Sequence, residues 1–181
     1  MATECRDKLK KLLESGHESE TRDQLMALAL DKRSCFEALM YFFLDNEVHW
    51  RYNQRASWPV SILAERKPEW LLPYMDAMIE AALEARHAAV RRNVVRLLQF
   101  MTIPQDYEGR IYDMCFQFLM DGSETVAVRV FSMTVLAHIA VNYPDMIPEL
   151  VTTIKSYYDT GSAAYKSRAK KLIKTLEQAI A

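Results

Sequence analysis

The sequence predicts an all-α fold of about ten helices, paired and stacked, and three observations lead there. Breakers are scarce: 4 Gly and 6 Pro among 181 residues are about 5.5% of the chain, against about 12% in average usage. That leaves little material for the turns of a many-stranded sandwich or barrel. An arginine near the start of a helical pattern recurs at Arg55, Arg91, Arg129 and Arg168, in steps of 36, 38 and 39 residues. Apolar residues then follow at helical spacing. Positions +4, +7 and +11 from the arginine are Val95, Leu98 and Thr102 in one copy and Met133, Leu136 and Ala140 in the next. Steps of 4, 3 and 4 trace one stripe of an α-helix. In the outer copies the stripe reads Pro59, Ile62 and Arg66, and Leu172, Thr175 and Ala179.

The elements follow in order along a single domain, residues 1–181. Residues 1–33 form an N-terminal helical cap, whose opening MATECRDKLKKLLESG is amphipathic and lacks the apolar core of a secretion signal. Residues 34–181 hold four helix pairs. SCFEALMYFFL, residues 34–44, feeds a helix over 50–66. Pro68, Pro104 and Pro144 each precede the first helix of a pair, where a missing N–H is no loss. Short polar links at 84–87, 121–124 and 159–162 then lead into the second helix. Gly122 and Gly161 stand where a chain reversal calls for a residue tolerant of positive φ.

Composition narrows the class. Hydrophobic residues make up 50% and charged residues 26%, which excludes disorder. No window approaches the roughly 18–20 uncharged apolar residues of a membrane span, so no membrane partner is expected. Three cysteines, Cys5, Cys35 and Cys115, are odd in number, far apart and without a CxxC pair. They read as neither a disulfide framework nor a zinc site, and fit a reducing cytoplasm. Formal charge is −1 overall, far from the strongly basic balance of a dedicated nucleic-acid binder.

The pattern of helix, short acidic turn, Val-Arg, then an apolar residue at about +7 resembles the HEAT/armadillo-type repeat. It is carried by Ala-Val-Arg at 89–91 and 127–129 and extends over residues 34–179. The first copy departs from it, with Gln-Arg-Ala and Pro59, and the last has no acid immediately before its arginine. The resemblance implies an α-solenoid whose second helices line a concave surface that binds extended partners. Another protein is the expected partner, with nucleic acid as the alternative.

Arg55, Arg91, Arg129 and Arg168 lie on the core stripe, so they read as a structural ladder. An inward guanidinium needs polar partners, and Asp121, Glu124 and Glu84 in the preceding turns are placed to offer carboxylates. Facing away from the stripe, at 100° per residue, are Trp50 and Asn53, Arg92 and Arg96, Thr134 and His138, then Lys166 and Lys170. The candidate partner-binding residues are Trp50, Arg51, Trp58, Arg92, Arg96, His138, Lys166 and Lys170. Trp50, Arg51, Tyr52, Arg55 and Trp58 interleave aromatic and basic groups most densely, a mixture able to grip a carboxylate or stack on a base.

Catalytic motifs are absent: no GxGxxG, Walker loop, HExxH or GxSxG occurs. His17, His49, His87 and His138 stand singly. Asp45 and His49, four apart, lack further ligands for a metal, and Asp45 reads better as a helix start. HEAT-based hydroxylases use several His-Glu pairs as iron ligands; this chain has only His17-Glu18. No metal or cofactor is expected. Alkylpurine DNA glycosylases built on HEAT-like repeats leave one enzymatic alternative, since DNEVHWRYNQRASW (45–58) bears a slight likeness to their aromatic, arginine-rich helices. Glu80 and Glu84 read as solvated charges on an outer helix, and the ten methionines, Met75, Met78, Met114 and Met120 among them, as core filler.

Overall fold

The computed structural model describes residues 2–16, 18–45, 49–85 and 87–180; His17 lies outside the described residues. Ten α-helices occur among them: α1 Ala2–Ser15, α2 Ser19–Asp31, α3 Arg33–Leu44, α4 Trp50–Arg66, α5 Met75–Leu83, α6 Ala88–Leu98, α7 Gln105–Met120, α8 Val126–Ala140, α9 Ile147–Ser156 and α10 Ala163–Ala179. No strand appears among the described residues. The chain divides into two compact units, Met1–Met101 and Thr102–Ala181.

In the first unit, α3 packs on α4 and α5 on α6, while α4 also packs against α6. The cap obeys the same rule. Helix α1 lies on α3 and α2 on α4, so α1 and α2 form a further helix pair. Their amphipathic faces dictate this: Leu9, Leu13 and Ala29 are fully buried, and Leu25 nearly so. In the second unit α7 packs on α8, α9 on α10, and α8 on α10. Each unit is thus a stack of pairs whose apolar stripes face inward.

The prolines act as foreseen, with one difference. Pro104 directly precedes α7, but Pro68 and Pro144 open 3-10 turns, Pro68–Trp70 and Pro144–Met146, before α5 and α9 begin. The arginine-anchored stripe is buried throughout α8, at Met133, Leu136 and Ala140. It breaks at its outer ends, where Arg66, Thr102, Thr175 and Ala179 are exposed. Met120 is likewise exposed, while Met75, Met78 and Met114 are buried.

Two expectations need correction. No glycine among the described residues has positive φ. Gly161 is needed for space instead, because a Cβ there would lie 2.8 Å from Tyr165 Cδ1 and 2.9 Å from the Tyr157 carbonyl oxygen. Gly122 has open space. The cysteine reading also fails: Cys5 and Cys35, 30 residues apart, form a disulfide. Cys5 sits on the buried face of α1 and Cys35 on that of α3, and the packing of the two helices brings the sulfurs together. Distance along the chain says nothing of such a meeting. Cys115 is free and fully buried, and burial pushes its thiol up to about 12.

Candidate functional site

The last carbonyls of an α-helix have no partner within the helix, and cations there complement its dipole. This explains the recurring arginines. Arg91 donates from Nε to the Ala82 carbonyl at 2.9 Å and from Nη2 to Leu83 at 3.4 Å, closing the end of α5. Arg129 donates from Nε to the Leu119 carbonyl at 3.0 Å, closing α7. Its guanidinium lies 4.4 Å from the Tyr157 ring centre and 5.3 Å from that of Tyr165. A carbonyl and two rings therefore meet Arg129, rather than the carboxylate expected from Asp121 or Glu124.

Both arginines are the fourth residue of their helix. The fourth residue of α4 is Asn53, whose Nδ2 reaches the carbonyls of Phe42 and Asp45 at 3.0 Å and of Phe43 at 3.2 Å. In α10 the third residue, Tyr165, donates its hydroxyl to the Ile154 carbonyl at 3.2 Å. One rule thus holds in the four pairs from α3 to α10: a side chain from the first turn of the second helix closes the end of the first. Arg55 serves α1 instead, donating to the carbonyls of Leu13 and Glu14. Arg168 reaches Thr134 Oγ1 on α8 at 2.5 Å. The outer arginines are thus displaced from the role the inner two share.

Replacing Arg129 by Ala is expected to cost about 1–3 kcal/mol, through the stranded Leu119 carbonyl and the lost ring contacts. Urea unfolding checks it, and an unchanged midpoint would remove Arg129 from the framework.

The predicted binding row is only partly on the surface. Asn53 and Thr134 are buried, so they leave it. Trp50, Arg51, His138 and Lys170 are exposed, while Arg92, Arg96, Lys166 and Trp58 are half-buried. Trp58 lies under the Arg22 guanidinium at 4.5 Å, which makes it part of the joint between α2 and α4. Burial, and then the Arg168 cation, push the His138 imidazole below its usual value. The charge of the row therefore comes from its arginines and lysines.

Where α4 and α6 begin, an aromatic stack forms. Trp50 stacks on His87 with centroids 4.6 Å apart and on His49 at 5.8 Å. His49 Nδ1 accepts the Arg51 N–H at 3.3 Å and His87 Nδ1 that of Ala89 at 3.1 Å, so each imidazole caps its helix. The start of α4 is capped by His49, not by Asp45, which instead ends α3. Beside this stack, Glu14, His49, Arg51, Tyr52 and Arg55 line a hollow of about 290 Å³. Tyr52 donates its hydroxyl to Glu14 Oε1 at 2.7 Å, which raises the tyrosine's pKa. Sequence reading missed Glu14, because the cap is 38 residues away along the chain.

From α3 onward charge divides by helix layer, whereas in the cap pair α1 carries four Lys+Arg against three acids and α2 one Arg against three. In the first unit the second helices α4 and α6 carry six Arg against one Glu, while α3 and α5 carry one Arg against three acids. The second unit repeats this. There α8 and α10 carry six Lys+Arg against one Glu, and α7 and α9 two against four. A net charge near zero hides this division.

Among the described residues, no group of three or more His, Cys, Asp and Glu is placed to hold a metal, and no helix is long and apolar enough to cross a membrane. Comparison with curated proteins finds no match, nor does comparison with solved structures. The family model described as a HEAT repeat domain matches residues 9–176, a span that begins inside α1 and so takes in the cap. With its stacked helix pairs and its recurring closure of one helix end by the next helix, the chain belongs to the HEAT repeat domain family.

Proposed function

We propose that this chain is a non-catalytic scaffold that holds an acidic segment of another protein against its second helices. The supporting observation is the division of charge between helix layers, repeated in both units. Arg51, Arg92 and Arg96 in the first unit, and Lys166 and Lys170 in the second, are its proposed contacts, with Trp50 and His138 beside them. The aromatic stack favours a protein over a nucleic acid. A ring that would stack on a base already stacks with two imidazoles, and stacking platforms are what single-strand binders rely on.

The test is the triple charge reversal Arg92→Glu, Arg96→Glu, Lys170→Glu. Lys170 is exposed and its change is expected to stay within about 0.5 kcal/mol, and urea unfolding establishes that the triple variant, with its half-buried Arg92 and Arg96, remains folded. Capture of the protein partner in a pull-down is expected to fall at low salt and to differ less at high salt, where exposed charges are screened. Retention of every partner at low salt would make the row a solvated face.

Nucleic acid is the second reading, favoured by the same cationic helices. Binding would then lose nearly one from its salt slope per phosphate contact removed. Its enzymatic form, alkylpurine excision, needs a carboxylate beside aromatic and basic groups, and Glu14 is so placed. Incubation with alkylated duplex DNA checks this: base release lost in Glu14→Gln would establish it, and no release by the native chain would end it.

A further inference from the structure

We propose that the trough between α3 and α5 is a second docking site, which takes a basic amphipathic helix of a partner protein. It lies on the first helices and does not rest on the second-helix reading above. The trough occupies about 430 Å³. Its two walls are helical stripes with the same spacing. Glu37, Met40, Tyr41 and Leu44 line it from α3 at steps of 3, 1 and 3. Ala77, Glu80, Ala81 and Glu84 line it opposite, from α5 and its C-cap, at the same steps. Such positions fall on one face of each helix.

The floor is apolar, for Met40, Leu44 and Ala81 are each under 10% exposed. Ala77 and Ala81 are small, and this keeps the trough open where bulkier residues would fill it. Carboxylates form the rim: Glu37 and Asp45 on one side, Glu80 and Glu84 on the other, and among the described residues no lysine or arginine lines it, though Arg33 pairs with Glu37 at 3.6 Å and Arg6 lies over the Tyr41 ring. An apolar channel between two rows of acid matches a helix with aliphatic residues on one stripe and lysine or arginine flanking it. Helix-in-groove recognition reads anchors at i, i+3, i+4 and i+7. Charge also decides against other occupants. Anionic lipid or nucleic acid would be repelled by a rim whose acids outnumber the Arg33 cation paired with Glu37, and a simple cation would gain nothing from the apolar floor.

The probe is a fluorescently labelled synthetic peptide, with leucines at i and i+4 and lysines on either flank, titrated with the full chain and followed by anisotropy. Saturable binding is expected. Glu80→Lys with Glu84→Lys is expected to weaken it at least about tenfold, a loss of about 1.4 kcal/mol. Ala77→Trp, which fills the trough without changing its charge, is expected to weaken it comparably. Arg92→Glu with Arg96→Glu should leave it unchanged, so failure here and failure of the second-helix reading are separable. Thermal midpoints establish that each variant is folded; if Ala77→Trp lowers its midpoint, Ala77→Met takes its place.

Three results would overturn the proposal. The first is equal binding of a peptide with lysines but no leucines, which leaves only diffuse charge attraction. The second is a filled trough that binds the peptide as tightly as the native one. The third is a dimer in sedimentation that Ala77→Trp dissociates, which makes a second copy of the chain the occupant.

Discussion

Reducing the Cys5–Cys35 disulfide is expected to lower the unfolding free energy by about 3–4 kcal/mol, the chain-entropy value for a loop of this length. The bridge closes 30 residues and joins α1 to α3, so its loss frees the cap in the unfolded chain. Helix α1 then depends on Leu9 and Leu13, both fully buried, and on the hold of Arg55 and Tyr52 on its last turn. Urea unfolding with and without reductant measures the difference. The paired Cys5→Ser, Cys35→Ser variant should match the reduced protein. Cys115 does not confuse the experiment, because it is buried and its thiol is pushed up to about 12, far from the reactive thiolate. Coincident curves, with both thiols alkylated in the native protein before any reductant is added, would show that no bridge holds the cap.

Replacing Asn53 by Leu is expected to cost about 2–4 kcal/mol, the sum of more than one buried polar group left without a partner. The change keeps the branched side-chain shape and leaves no cavity, so it separates lost hydrogen bonding from cavity formation. Three carbonyls at the end of α3, those of Phe42, Phe43 and Asp45, lose their shared donor. Asn53 is 4% exposed, and water does not readily take its place. Asn53→Asp should do worse still, because it sets a carboxylate against carbonyl oxygens. A Leu variant as stable as the native chain would mean that the end of α3 is satisfied without Asn53.

Asn53 also shows how far the sequence could be read. The arginines repeat visibly because the same chemistry, closing a helix end, is met twice by the same residue type, at Arg91 and Arg129. Where Asn53 and Tyr165 do the same work with other donors, the repeat vanishes from the letters while persisting in the fold. An alignment on arginine therefore selected Arg55 and Arg168, which bond elsewhere. The buried positions of Asn53 and Thr134 went unseen for a related reason. An angular count places residues on one helix, whereas burial depends on which neighbouring helices cover that face.

The sequence by itself determined the helical class, the pairing of helices and the period, because these follow from local spacing, breakers and capping within a few residues. The stripes of α8 and the start of α7 after Pro104 were legible on those grounds. Only the tertiary structure decided the rest. It made the cap a further helix pair, joined Cys5 to Cys35, brought Glu14 to Tyr52, and set the walls of the α3–α5 trough opposite one another. Each of these joins residues about 30 to 40 positions apart. Which of them meet is set by the packing of whole helices, and no local pattern along the chain encodes that distance.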